Sequence, residues 1–348
     1  MWCDLAYYFE AGSDATQVLI SSAKIELLNL TNYDQKYYQV KAQLRRVRNQ
    51  CPQLVPIHIL PFEILSRILC SINYCYMSKG AMDLCKSRNA STTPEPYLQV
   101  CSWWRRVAME SPQLWTHIDL IPSERCSIKV LERARVFAAQ AGWAPLHIHV
   151  GGGWDEYDSK QTDYELVDFC AALSSRIQSL QLISSNATKT IKRLLESLLS
   201  SAVIPGAVTW LYISAGVIPS DPSFLVPSNR RQSTPWIFPS QAIVLSTVNQ
   251  NQLEAFLRPI DRLWLDCMYP CWASEAYSGL VGLQLVGRRG SYVTITEHQL
   301  ATILRAIPGL QFFHYVLEIQ RERMSYTPNS VKLDDLEVVR LERLHPGS

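Results

Sequence analysis

His147 and His149 lie two residues apart in Leu146-His147-Ile148-His149-Val150, the segment best suited to chemistry. In an extended chain both imidazoles fall on one face, where together they could ligate a metal. No carboxylate or thiol accompanies them at ligand spacing, so the segment reads as a polar strand face and no metal is expected. Gly287-Arg288-Arg289-Gly290 either cradles an anion in a turn or is a basic loop between strands. Asp334 and Asp335 stand together in a polar flank with nothing beside them to raise a pKa by burial. The chain has no G-x-S-x-G elbow, phosphate-binding loop or G-x-G-x-x-G. No nucleophile stands beside a base, so no catalytic residue, no cofactor and no enzyme activity are expected.

The ten cysteines contain no C-x-x-C pair, the spacing common at tetrahedral zinc. They read as reduced, mostly buried thiols of a cytoplasmic or nuclear protein. Three Asn-x-Ser/Thr triplets, at Asn29, Asn89 and Asn186, are chance matches on that reading. The chain has 348 residues, 47% of them apolar and 18% charged, which suits two domains of about 150 residues each. A net charge of +2 is too balanced for phosphate neutralisation, so no nucleic-acid partner is expected. No apolar run is long enough to span a bilayer, and Met1-Trp2-Cys3-Asp4 lacks a basic leader, so no membrane or secreted role is expected.

The elements that must position these residues follow from periodicity. Residues 16–50 predict a helix whose seam, Leu30, Tyr33, Tyr37, Val40, Leu44 and Val47, alternates steps of three and four. The seam either packs on the next domain or dimerises, and Cys51-Pro52 ends the helix. Pro61 suits a first helical position ahead of Ile64, Leu65, Ile68 and Leu69. Residues 78–95 read as a loop. A second helix restarts at Pro96 and carries Tyr97, Val100, Cys101, Trp104, Val107 and Ala108; Leu114 and Trp115 follow as apolar anchors.

Leu60-Pro61-x-Glu63-Ile64-Leu65-x-x-Ile68, then Val100-Cys101-x-x-Trp104-Arg105, then Leu114-Trp115, together resemble an F-box. The resemblance covers roughly residues 55–120. It departs from the family in the 27 residues between Leu69 and Tyr97, a longer connection than usual. It implies a helical bundle that binds a Skp-type linker of a cullin–RING ubiquitin ligase. The implied linker contacts are Leu60, Pro61, Glu63, Ile64, Ile68, Val100, Trp103 and Trp115. The implied bundle core is Leu65, Cys101, Trp104 and Leu114. Trp103 and Trp104 are neighbours about 100° apart on a helix, so only one of them can face inward.

Beyond Leu120 short apolar segments alternate with amphipathic helices. Ser127 can cap a helix that ends at Gly142, Asp163 can cap another, and Thr296 with Gln299 forms a capping box. A template of apolar, two residues, apolar, one residue, apolar recurs. Its copies are Ile177/Leu180/Leu182, Val208/Leu211/Ile213, Ile260/Leu263/Leu265, Leu280/Leu283/Leu285 and Leu333/Leu336/Val338, with Leu310/Phe313/Tyr315 a weaker one. A strand at Ile243-Val244-Leu245 would divide the longest gap, and the proline-rich stretch 219–239 reads as a loop. The template resembles leucine-rich repeats, irregularly spaced; a doubly wound α/β domain is the alternative.

The expected organisation is therefore α+β with a repeat α/β part. A helical segment spans 1–52, an F-box-like domain 53–121 and a leucine-rich-repeat-like array 122–348. F-box plus repeats is similar to the large F-box-like families of mushroom-forming fungi. That implies a substrate-recognition adaptor whose repeats hold an unidentified protein target. Trp210, Trp264 and Trp272 flank repeat strands, where they either anchor that target or cover the core at a strand edge. The other readings are a repeat scaffold with no ligase role and, further off, a hydrolase-like α/β enzyme. The last template copy is followed by a short tail, which predicts an exposed apolar end or a longer natural chain.

Overall fold

The computed structural model describes residues 2–50, 56–74, 94–120, 127–151, 160–184, 188–200, 208–215, 224–228, 242–287, 293–320 and 330–342. The chain is mixed α/β, with an N-terminal helical segment and a parallel sheet. It forms two compact units that divide between Glu110 and Ser111, ahead of residue 121 where the F-box-like segment is expected to end.

In the first unit, α1 (Trp2–Gln50) begins fourteen residues ahead of the helix expected over 16–50, with Arg48 favourably placed in the last turn; Cys51-Pro52, expected to end it, lies outside the described residues. Its side chains from 17 to 48 are all exposed, including the whole seam, so the expected packing of this face on the next domain is not formed. Helix α2 (Phe62–Tyr74) begins one residue later than expected: Leu65 N–H donates to the Pro61 carbonyl at 3.1 Å, so Pro61 is the cap. Leu65 and Leu69, one turn apart, are fully buried.

The single helix expected from Pro96 is two helices, α3 (Glu95–Val100) and α4 (Ser102–Met109). Cys101 breaks them apart: its backbone is extended, and its Sγ accepts from Trp104 N–H at 3.5 Å, capping α4. Arg105 Nε donates to the Leu98 carbonyl at 2.9 Å and ties α4 back to α3. The break turns the periodic face of 97–108. Cys101 and Trp104, expected in the core, are only half-buried, while Val107 and Ala108 are buried and α4 packs on α2.

The second unit opens with a short 3-10 turn, Pro112–Trp115, leading into β1 (His117–Leu120). Seven more strands follow in one parallel sheet: β2 (Leu146–Gly151), β3 (Ile177–Ser184), β4 (Trp210–Ala215), β7 (Arg262–Asp266), β9 (Gly282–Val286), β11 (Phe312–Val316) and β13 (Val338–Leu341). Their spatial order is their chain order, with no reversal, which a doubly wound sheet would require. Parallel neighbours need crossover connections, which are right-handed as a rule. The helices of these connections include α5 (Ser127–Gln140), α6 (Lys160–Ala172), α7 (Thr188–Ser200), α8 (Gln250–Leu257) and α9 (Glu297–Arg305).

Register carries the template residues across the sheet. Ile118, Ile148, Leu180, Leu211, Leu263, Leu283 and Phe313 align strand to strand, and all are buried. A backbone relay holds that register ahead of the strands. Asp261 and Arg262 N–H both donate to the Thr209 carbonyl, Val281 and Gly282 to Asp261, Gln311 and Phe312 to Val281, and Glu337 and Val338 to Gln311.

Three template assignments change. Trp115/Ile118/Leu120 is a copy, so Trp115, expected to meet a linker, is buried with Leu114 in the second unit, edge-to-face on Phe137 at 5.1 Å. At the other end Val338 pairs with Phe312, so the copy is Leu336/Val339/Leu341 and excludes Leu333. Val338, Val339 and Leu341 are 48%, 52% and 68% exposed, the apolar end expected there. Ile243-Val244-Leu245 is a strand, β6 (Ala242–Leu245), but it joins a separate sheet in the order β6-β5-β8 and leaves β4 directly beside β7. In that sheet β5 (Phe224–Pro227) lies inside the stretch expected to be loop; Phe224-Leu225-Val226 is apolar enough to be buried despite the surrounding prolines. β8 is Tyr269–Pro270, and β10 (Thr294–Thr296) pairs with β12 (Glu318–Gln320). The Thr296/Gln299 capping box is present, and a second one is formed by Asn249 and Gln252. Helix α5 ends at Gly142, at φ 57°, as expected.

Trp115→Ala removes a fully enclosed indole and is expected to cost about 3–5 kcal/mol. Trp104→Ala, at a half-buried position, is expected to cost less. Thermal unfolding followed by near-ultraviolet circular dichroism compares them; equal losses would place Trp104 in the core after all.

Candidate functional site

Alternation along each strand sends the template residues to the core and their neighbours to the opposite face. Register lines those neighbours up in rows. One row runs His117, His147, Ser179, Trp210, Arg262, Gly282 and Phe312. The next runs Asp119, His149, Gln181, Tyr212, Trp264, Gln284 and His314. The residues with chemistry therefore share one face of one sheet, drawn from segments up to two hundred residues apart in the chain.

The middle of the face is aromatic. Trp264 stands edge-on to Trp210, centroids 5.0 Å apart, and to Tyr212 at 6.3 Å, with Phe312 at 6.1 Å on its other side. Such pairings add about 0.5–1.5 kcal/mol beyond area burial. Tyr212 is buried and both indoles are half-buried. Their Nε1 atoms are shielded from solvent and donate to no acceptor among the described residues. An acceptor brought by a ligand would recover part of the roughly 1–3 kcal/mol such a buried group costs. Trp272 stands apart from these two. It packs among Phe224, Tyr269 and Tyr277 at 5.6, 5.1 and 5.9 Å and donates from Nε1 to the Thr294 carbonyl at 3.3 Å. It therefore bolts the smaller sheets together and is not part of the aromatic face.

The β1–β2 corner is polar. Asp119 Oδ1 accepts from His149 Nδ1 at 3.1 Å and from His117 Nε2 at 3.3 Å. Burial alone would raise the Asp119 pKa. The two imidazole hydrogen bonds and the charge of the rings outweigh it and hold the carboxyl well below the usual range. His147 is pushed down to about 4, first by burial and then by its neighbours His117 and His149. His149 is also lowered, by burial first, with Asp119 opposing. His147 Nδ1 and His149 Nε2 are buried and have no hydrogen-bond partner among the described residues.

The sequence reading found His147 and His149 but no carboxylate. The carboxylate comes from the neighbouring strand, because the register pairs His117 with His147 and Asp119 with His149. The available signal was a His-x-Asp segment thirty residues before His-x-His, both in strand-like alternation. Further along the face, Ser214 Oγ donates to buried Asp266 at 2.8 Å, and His314 faces Glu342 at 3.6 Å.

In the helical unit Ile64, Ile68 and Val100 are exposed, as are Pro61 and Glu63; Leu60 and Trp103 are half-buried, and Arg106 lies over the Trp103 ring at 4.5 Å. Residues 288–290 of the basic turn lie outside the described residues. Gly287 is described, and a Cβ there would meet a Leu317 methyl carbon at 2.7 Å. No described helix is long and apolar enough to cross a membrane. Compared with known proteins, the chain matches no family model, no curated protein and no solved structure.

A double-mutant cycle over Trp210→Ala and Trp264→Ala, read by urea unfolding, is expected to give a coupling of about 0.5–1.5 kcal/mol. A cycle over Trp210→Ala and Trp272→Ala is expected to be additive within about 0.5 kcal/mol. Comparable couplings in both would merge the two aromatic groups.

Proposed function

We propose that the chain is a non-catalytic substrate-recognition adaptor of a cullin–RING ubiquitin ligase. Its helical unit binds a Skp-type linker, and its sheet, an irregular leucine-rich-repeat-like array, holds a protein target in the cytoplasm or nucleus. The observation that carries this reading is the isoleucine stripe of α2. Ile64, Ile68 and Ile72 recur every four residues and are 43%, 38% and 50% exposed, while Leu65 and Leu69 beside them are fully buried. A helix that keeps a second apolar stripe outside its own core has surface to give to a partner. Exposed Val100 and the Leu60-Pro61 start of the helix agree with the F-box pattern. Trp115 drops out of the linker surface because it is buried. The aromatic face supports target binding, since tryptophan and tyrosine are the usual anchors of interfaces.

Ile64→Asp with Ile68→Asp is expected to weaken linker binding tenfold for each ~1.4 kcal/mol of anchor energy lost, at unchanged helicity. Trp264→Ala is expected to leave linker binding intact. Calorimetric titration of the full chain with a Skp-type protein measures both. Wild-type chain that is folded yet forms no complex at roughly 50 µM would end the adaptor reading. The aromatic face would then belong to a repeat scaffold without a ligase role.

A further inference from the structure

We propose that His117, Asp119 and His149 form a binding site for a divalent transition-metal ion of the zinc class. The site is independent of the adaptor reading. Its basis is the donor set and its spacing. Two imidazoles and one carboxylate suit zinc or its first-row neighbours; calcium and magnesium would demand more oxygen ligands. At zinc–ligand distances of about 2.0–2.1 Å, tetrahedral ligand atoms stand about 3.3–3.4 Å apart. Here Asp119 Oδ1 lies 3.3 Å from His117 Nε2 and 3.1 Å from His149 Nδ1, and all three atoms fall within 4.8 Å of one another. Among the described residues this is the one cluster of three such ligands.

Without an ion, both imidazoles donate to a single carboxylate oxygen. A cation seated between the three atoms would take a lone pair from each, with the ring protons moving to the far nitrogens. The scaffold suits this. The ligands stand on adjacent parallel strands in direct register, so the backbone ladder sets their spacing before any ion binds. The side chains of His117, Asp119 and His149 are 11%, 18% and 17% exposed, shielded yet reachable. Three protein ligands leave a fourth tetrahedral position for water or an incoming donor.

The test uses the full chain, stripped with chelator, and cobalt(II) as the probe, because its spectrum separates nitrogen and oxygen ligation from thiolate ligation. Wild-type protein is expected to bind one cobalt ion with tetrahedral d–d bands and no thiolate charge-transfer band. Zinc is expected to displace the cobalt. His149→Ala and Asp119→Asn, checked for folding by circular dichroism, are expected to weaken binding at least tenfold. His314→Ala, at the far side of the same face, is expected to leave it unchanged. Should a buried-ligand variant fail to fold, His117→Gln replaces it, and the wild-type spectrum stands by itself. No binding at 100 µM cobalt, a spectrum of thiolate ligation, or affinity unchanged within twofold in folded ligand variants would overturn the proposal.

Discussion

The register of the parallel sheet is the constraint on which the rest of the second unit depends. Side chains alternate with a period of two, so a slip of one residue would turn every core residue outward and every face residue inward. The relay in which the Thr209, Asp261, Val281 and Gln311 carbonyls each take two N–H donors from the next segment pins the strands before they begin. The buried rows through Leu211 and Leu263 then supply the apolar reward for that one alignment. The opposite face follows from it: Asp119 meets His149, and Trp264 meets Tyr212 beside it and Trp210 on the diagonal, because the ladder places them so.

The same face holds two chemically different regions. At the aromatic centre the rings shield one another, and their indole N–H groups find no acceptor among the described residues. At the β1–β2 corner the electrostatics are local. A carboxylate lies between two imidazoles, whose hydrogen bonds and charge outweigh its burial and lower its pKa. The template rows fill the other side of the sheet, but this face is itself largely enclosed: Tyr212, Gln181, Gln284 and His314 are buried on it.

The helical unit is built differently. Among its described residues Leu65, Leu69, Val107 and Ala108 are buried, while Tyr97, Trp103 and Trp104 are half-buried. Cys101 explains why. An extended residue between two short helices changes the direction of the face that follows, so Trp104 stacks at 6.4 Å on Tyr97 without being enclosed. The isoleucine stripe of α2 and the seam of α1 are exposed.

By itself the sequence determined the elements whose signals are local. The first helix over 16–50, the α2 face of Leu65 and Leu69, the Thr296 capping box and most template strands were all legible, because periodicity and capping act over one or two turns. The template even contained the two aromatic positions at 210 and 264 that share a face. Tertiary structure decided which copies pair. It moved Trp115 from a partner surface into the core, since Ile118 and Leu120 continue its template in β1. It sent β6 into a separate sheet and put Trp272 among Phe224, Tyr269 and Tyr277. It also brought Asp119 to His149 across thirty residues of chain. A strand carries no local mark of its neighbour; pairing is chosen by the sum of many weak contacts along the whole ladder, and that sum exists only once the sheet has formed.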